Sequence, residues 1–413
     1  MQTLMGFVGI ASLILIAVIF SSNRKAINLR TVGGAFILQA MIPAFVIFTD
    51  SGAGTLEAIS NGVQAVIDSA NMGISFLFGG LASDKMFELF GGGGFVFAFK
   101  VLPIIIFFAS LMAVLYYLGI MQWIINIFGG GLQKLLGTSR TESMSAAANV
   151  FVGQTEAPLV VKPYINKMTR SELFAVMSGG LASVAGAVLA GYAALGVELN
   201  YLIAASFMAA PGGLLMAKIL EPETETPDNN TSIEVAEEDK PVNVIDAAAE
   251  GAASGLQLSL NVGAMLIAFI SLIALINIIF GAIGGVFGFE ALTLQQILGY
   301  LFAPIAFLIG IPWSEAVQAG SLLGQKLVVN EFVAYIDFVA IKETLSEHSQ
   351  AIITVALCGF ANLSSMAILL GGLGVMSPSR RPDIARLGLK AVLAGTLSNF
   401  MSATLVGLFF SLV

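Results

Sequence analysis

Charge is scarce in this sequence: Lys, Arg, Asp and Glu together make up 11% of its 413 residues. A soluble domain carries roughly 25%, so a water-soluble globular enzyme is excluded. There is one cysteine, Cys358, and one histidine, His348. An internal disulfide, a CxxC metal site and a zinc triad are thereby ruled out. No phosphate-loop lysine follows the run Gly91–Gly94, which reads as a turn or a close helix contact, so the chain cannot be an ATP-driven pump. No GxSxG elbow occurs, and His348 is expected in an outside loop, which argues against an intramembrane hydrolase. Basic patches that would bind nucleic acid are missing. So are the roughly ten-residue alternating segments of an outer-membrane barrel.

Apolar length takes their place. Hydrophobic residues are 57% of the chain, and the mean hydropathy is +0.92. Long apolar runs recur from end to end, the mark of an all-α polytopic membrane protein. Eight transmembrane helices are predicted, near 1–20, 32–49, 95–127, 172–194, 200–218, 252–287, 351–374 and 388–412. Between the second and third, Leu56, Ile59, Val63, Val66 and Ile67 recur at helical spacing within 55–70. That segment is too polar to span and reads as an amphipathic interfacial helix. The run 295–311, with Pro304 inside it and Pro312 after it, reads as interfacial or re-entrant rather than as a ninth span.

Positive charge orients the spans. Arg24, Lys25 and Arg30 follow the first apolar run instead of preceding it, so that run reads as an uncleaved helix with its N-terminus outside. Fourteen of the 18 Lys and Arg then fall inside and only Lys85, Lys100 and Lys342 outside, with Lys326 within a hairpin. Both termini are expected outside. Eight acidic residues lie between Glu221 and Asp239, in a cytoplasmic linker where the sequons at Asn229 and Asn230 have no role. Residues 1–94 read as peripheral helices, 95–218 as a first repeat, 219–250 as the acidic linker and 251–413 as a second repeat. Trp123 and Trp313 read as interfacial anchors.

Polar residues stand where apolar ones are expected. A segment at about 141–168 holds Asn149, Gln154, Thr155, Glu156 and Pro158, with basic flanks on one side of the membrane. A re-entrant hairpin with its tip at Gly153–Glu156 satisfies this pattern. A second hairpin, at about 313–341, carries Asn330 and Glu331. Glu142 and Glu315 read as residues that cap or flank the hairpin helices. Each hairpin precedes a broken span: Gly180-Leu181-Ala182-Ser183 in one case, Gly359-Phe360-Ala361-Asn362 in the other. The two units enter from opposite sides, an inverted repeat that points to a transporter site near the midplane. A carboxylate there costs about 2.5–3.5 kcal/mol, so Glu156 and Glu331 need a helix–helix hydrogen bond, a substrate or an ion. Asn149 and Ser183 suit interhelical hydrogen bonding as well as ion ligation. Asn362, Ser364 and Ser365 could cap a helix end.

Three motifs in order carry a resemblance: Gly153-Gln154-Thr155-Glu156-Ala157-Pro158, Asn330-Glu331-Phe332-Val333-Ala334-Tyr335, and Cys358-Gly359-Phe360-Ala361-Asn362-Leu363-Ser364-Ser365. The chain resembles the concentrative nucleoside transporter family over its whole length, and especially its bacterial sodium-coupled members. The resemblance implies a homotrimer in the bacterial inner membrane, without cofactor or catalysis, importing uridine, other pyrimidine nucleosides and adenosine by sodium symport. It implies that Gln154, Thr155, Glu156 and Val188 bind the nucleobase and that Glu331, Asn362, Ser365 and Phe360 meet the ribose. Sodium would be held by the side chains of Asn149 and Ser183 and the carbonyls of Val152 and Val184. A proton-coupled nucleoside symporter, with Glu156 or Glu331 titrating, is the alternative.

Overall fold

The computed structural model describes residues 2–83, 85–90, 94–228, 241–286, 288 and 292–413, and every regular element in them is helical. The Gly91–Gly93 part of the glycine run and the linker sequons lie outside the described residues. The chain opens with α1 (Gln2–Ile19), α2 (Leu29–Phe48), α3 (Asp50–Phe78), α4 (Lys85–Phe90) and α5 (Phe97–Lys100). A first unit follows: α6 (Leu102–Tyr117), α7 (Ile120–Leu136), α8 (Arg140–Ala148), a 3-10 helix at Ala157–Lys167, α9 (Arg170–Ala182), α10 (Gly186–Ala194) and α11 (Leu199–Leu220). The second contains α12 (Val244–Val286), α13 (Leu294–Leu308), α14 (Trp313–Val328), α15 (Glu331–Ile341), α16 (Glu347–Leu357), α17 (Ser365–Met376) and α18 (Arg381–Phe410).

Among the described residues, eight helical stretches are long and apolar enough to cross a membrane. The number agrees with the sequence reading, but the membership differs. The interfacial segment expected at 55–70 is a longer helix that qualifies by length and composition. It buries Ile67, Ala70 and Ile74 against Ile104, Ile105 and Phe108 of α6. The 351–374 run is instead two short helices, α16 and α17, around a break. The span expected at 95–127 ends at Tyr117, because Gly119 turns the chain with φ +77°. Only glycine takes that conformation freely, and α7 then leaves as a separate helix. His348 is no loop residue: it sits in the first turn of α16, buried, with Nε2 3.0 Å from the Gly407 carbonyl. The 295–311 run forms α13, which meets α14 at a 116° bend. Trp123 and Trp313 are both exposed.

Burial separates the helices into a core and a wall. The apolar windows of α9–α10, α11 and α18 are 94%, 94% and 89% buried, whereas that of α12 is 11% buried. α12 packs along α6 through small residues at every fourth position, Gly251, Gly255 and Ser259. A Cβ on Gly255 would come within 2.7 Å of the Ile106 backbone, and the Ser259 hydroxyl donates to the Leu102 carbonyl at 2.8 Å. Close backbone approach of this kind replaces the hydrophobic drive that lipid does not supply. The α6–α12 pair meets the core chiefly through α10 and α3.

Both hairpins form. In the first, α8 starts at a capping box of Ser139 and Glu142, and the chain turns at 149–156 into the 3-10 helix. In the second, α14 ends at Val328, and Asn330 caps α15 by accepting from the Val333 amide at 2.9 Å. Each hairpin bonds to its own broken span. Gly186 N–H reaches the Phe151 carbonyl at 3.0 Å, and Leu363 N–H reaches the Leu327 carbonyl at 3.1 Å. The breaks also meet each other, with Phe360 N–H donating to the Ser183 carbonyl at 3.1 Å. Asn399 of α18 clasps both, its Nδ2 donating to the carbonyls of Ala182 (2.6 Å) and Cys358 (3.0 Å).

At the end that gathers the basic residues, buried charges tie four helices together. Lys218 of α11 lies 2.6 Å from Glu142 of α8 and donates to Ser171 of α9 at 2.9 Å. Glu221 accepts from Lys390 of α18 at 2.8 Å and from Arg170 of α9 at 2.7 Å.

Two predictions follow from these contacts. Burial alone would raise the Glu221 carboxyl, but Lys390 and Arg170 outweigh it and hold the group below its ordinary value. Such a carboxyl stabilises the fold above its unfolded value of about 4.3, and loses that effect as pH falls through the folded value. Glu221→Gln should melt lower than wild type in detergent at neutral pH, and the two should converge in acid. A gap independent of pH would contradict the ion-pair role. Separately, a Cβ on Gly359 would collide with the Asn399 amide. Gly359→Ala should destabilise by about 1–3 kcal/mol, the range for overpacking a tight core, read as a lower melting temperature.

Candidate functional site

The hairpin tips and the two breaks converge at one place. Glu331, the first residue of α15, is buried with both carboxylate oxygens engaged. Oε1 accepts from the Tyr192 hydroxyl at 2.9 Å and Oε2 from Asn362 Nδ2 at 3.1 Å. Asn362 also caps α17, since its Oδ1 accepts from the Ser365 amide at 2.9 Å and from the hydroxyls of Ser364 and Ser365. The capping role and the carboxylate contact therefore coexist in one side chain. The Ser365 hydroxyl is close to the Phe360 carbonyl as well. Glu331, Asn362, Ser365 and the backbone of Phe360 thus form one connected group.

The first hairpin supplies the other wall. A Cβ built on Gly153 would lie 3.2 Å from the Ala185 Cβ and 3.9 Å from the Phe360 ring, so the tip sits beside the second break. Gln154 is buried against Gly180, and its Oε1 has no partner. The Thr155 methyl packs on Gly372 of α17, and Val188 is buried on α10. Glu156 departs from expectation: it is exposed and not a buried carboxylate. Its Oε2 accepts from the Gly153 amide at 3.2 Å.

The Asn149 amide, like Gln154 Oε1, stands outside the satisfied network. It is buried against Gly179, and neither its oxygen nor its nitrogen has a hydrogen-bond partner. Ser183 donates to the Gly180 carbonyl at 3.3 Å, which leaves its lone pairs free. Among the described residues, the carbonyls of Val152 and Val184 accept no hydrogen bond. An amide oxygen, a hydroxyl and two carbonyls form the hard-oxygen set that a small cation takes. An ordered water or an ion would satisfy buried groups left in this way.

Three side chains of this site escaped the sequence reading. Tyr192 holds Glu331 and stacks with Phe332 and Tyr335 at ring separations of 4.7 and 4.5 Å. It lies four residues after Val188 and thus on the same helical face, a signal the sequence did contain. Asn399 and Lys326 meet the breaks from distant parts of the chain, and no local pattern marks them. Glu142 and Glu315 do what was expected, the latter accepting from the Ser346 hydroxyl at 3.0 Å.

Known proteins share this architecture. Family models for the Na+ dependent nucleoside transporter N-terminus and C-terminus match residues 8–81 and 201–407, and a nucleoside recognition model matches 98–198. The nucleoside permease NupC of Helicobacter pylori is 55% identical over 100% of this chain and 99% of its own. The putative nucleoside permease NupX of Escherichia coli K12 is 46% identical over the full length of both chains. A solved structure of CNTnw in an inward-facing substrate-bound state is 61% identical, with a TM-score of 0.96 over 100% of this chain and 99% of that one. These relatives are membrane permeases and not enzymes, and with the hairpins, breaks and full-length matches in agreement, the chain belongs to the concentrative nucleoside transporter family.

Proposed function

We propose that this protein is a sodium:nucleoside symporter that imports uridine, other pyrimidine nucleosides and adenosine across the bacterial inner membrane as a homotrimer. The observation that carries the sodium assignment is the buried, unpartnered Asn149 amide beside Ser183 and the free carbonyls of Val152 and Val184. Sodium there would draw the first hairpin tip onto the broken α9–α10 span and complete the base site at Gln154, Thr155, Glu156 and Val188. The amide of Gln154 can both donate to and accept from a base edge. Glu331, held by Tyr192 and Asn362, would accept from ribose hydroxyls, with Ser365 and Phe360 beside the sugar. A nucleotide phosphate would be repelled by two glutamates unaccompanied by arginine.

Coupling is then a difference in affinity: sodium favours the arrangement that binds nucleoside. The core elements would move against the α6–α12 pair, carrying the site from one face to the other, with both chain termini outside. A potential of 100 mV supplies about 2.3 kcal/mol per charge, and a tenfold sodium gradient about 1.4 kcal/mol more. One sodium per nucleoside therefore supports roughly 500-fold accumulation.

Labelled uridine uptake into proteoliposomes, with either a sodium or a proton gradient imposed alone, tests this reading. Sodium alone should drive accumulation, and Asn149→Ala should raise the sodium concentration for half-maximal uptake by about tenfold or more. Uptake driven by protons alone would keep the substrate and move coupling to a glutamate. At the sugar end, Tyr192→Phe removes one bond to a carboxylate and should raise the uridine KM about tenfold, while Glu331→Gln should abolish most uptake without loss of fold. A wild-type uridine KM in Tyr192→Phe would remove Glu331 orientation from the mechanism.

A further inference from the structure

One side chain grips both broken spans without standing at the substrate. Asn399 lies on α18, 2% exposed, with Gly395 one turn before it on the same face. A Cβ on Gly395 would lie 2.9 Å from the Leu181 side chain and 3.1 Å from the Ala361 Cβ, so α18 is seated against both breaks at once. From that seat Asn399 Nδ2 donates to the carbonyls of Ala182 and Cys358, and Oδ1 accepts from Lys326 Nζ at 2.8 Å. Lys326 is 0% exposed and also donates to the Ala356 carbonyl at 2.6 Å.

The chemistry admits one orientation of this amide. Ala182, Ala356 and Cys358 all present carbonyls here, and a carbonyl can only accept. The N–H groups of Asn399 serve two of them, and Lys326 serves the third. Turned over, the amide would set its oxygen against two carbonyl oxygens and its nitrogen against the lysine. Lys326 therefore holds Asn399 the right way round.

The ends of these bonds lie beside both candidate sites. Ala182 precedes Ser183 of the ion group, and the Ser183 carbonyl itself accepts from Phe360. Cys358 stands two residues before Phe360 and four before Asn362 of the sugar group. Lys326 is in the second hairpin, next to Leu327, whose carbonyl takes the Leu363 amide. The pair thus ties the second hairpin and both breaks to α18.

We infer that Asn399, oriented by Lys326, is the positioning residue that couples the ion site to the sugar site: it holds the two breaks in one register, so that an ion ordering Ser183 also orders the turn from Phe360 to Ser365. Both side chains act through the main chain and not by contact with substrate. The inference rests on reading Asn149–Ser183 as the ion site.

The test is the uridine KM of the full-length protein in proteoliposomes, measured well below and well above half-saturating sodium. In wild type the KM should fall at least about fivefold between the two, as for a coupled pair of sites. Asn399→Asp keeps an acceptor for Lys326 but loses both donors to the breaks, and Lys326→Met keeps the volume but releases the amide. Each should cut that ratio to about twofold or less. A residue that only stabilised the fold would lower the melting temperature or the maximal rate and leave the ratio alone. Lys326→Met added to Asn399→Leu should cost no further coupling, because the lysine acts through the amide. Wild-type ratios in the single variants overturn the inference, as do additive losses in the double variant. Should no variant fold, amide hydrogen exchange in the wild type decides: sodium without nucleoside should slow exchange across 358–365 as well as across 180–186. Protection confined to the first break overturns the inference and keeps the ion site. An absence of any sodium effect on KM or exchange removes the ion reading, and the inference with it.

Discussion

In a lipid-facing protein the backbone has no water to turn to, and every amide and carbonyl freed from a helix must find a partner inside the protein. This chain interrupts two helices in the most buried part of its bundle. The consequences organise the molecule. Gly186 and Leu363 return their amides to the hairpins, Phe360 crosses to Ser183, and Asn399 and Lys326 gather the carbonyls of Ala182, Cys358 and Ala356. The hairpins are thus the partners that make broken helices tolerable. Among the site's described residues satisfaction stops at Asn149, Gln154, Val152 and Val184, whose oxygens accept no hydrogen bond.

The two hairpin-tip glutamates show how environment separates residues of similar sequence position. Glu331 begins a helix in the interior, where the Tyr192 hydroxyl and the Asn362 amide donate to its two oxygens. Glu156 stands at the rim with one backbone donor and is exposed. A carboxylate taken out of water must be matched by donors, and Glu331 has two side-chain donors where Glu156 has one backbone amide.

Much of this was written in the sequence because the signals are local. Apolar run length marked the core spans, and glycine and proline beside polar residues marked both hairpin tips. The paired Gly-x-Ala segments marked both breaks. What escaped was long-range or conformational. Gly119 ends a helix inside an apolar run that hydropathy alone reads as continuous. The segment at 55–70 belongs to a longer helix because its apolar face docks on α6, a partner no window of sequence contains. Lys326 and Asn399 are 73 residues apart and acquire meaning only where the chain crosses itself.

The buried ion cluster at the basic end has a mechanical meaning. Glu142, Arg170, Lys218, Glu221 and Lys390 join the starts of the first hairpin and α9 to the end of α11 and to α18. Removing Lys218 would strand the buried Glu142 carboxylate away from water, whereas Arg170 is largely exposed and shares Glu221 with Lys390. Charged contacts of this kind join α8, α9, α11 and α18 at one end of the bundle. Compliance is left to the greasy seam where α10 rests on α6, whose interlocking side chains carry no such bolts. In the carrier cycle proposed above, the charged end would keep these four helices together while the apolar seam on α6 would be the side along which they shift.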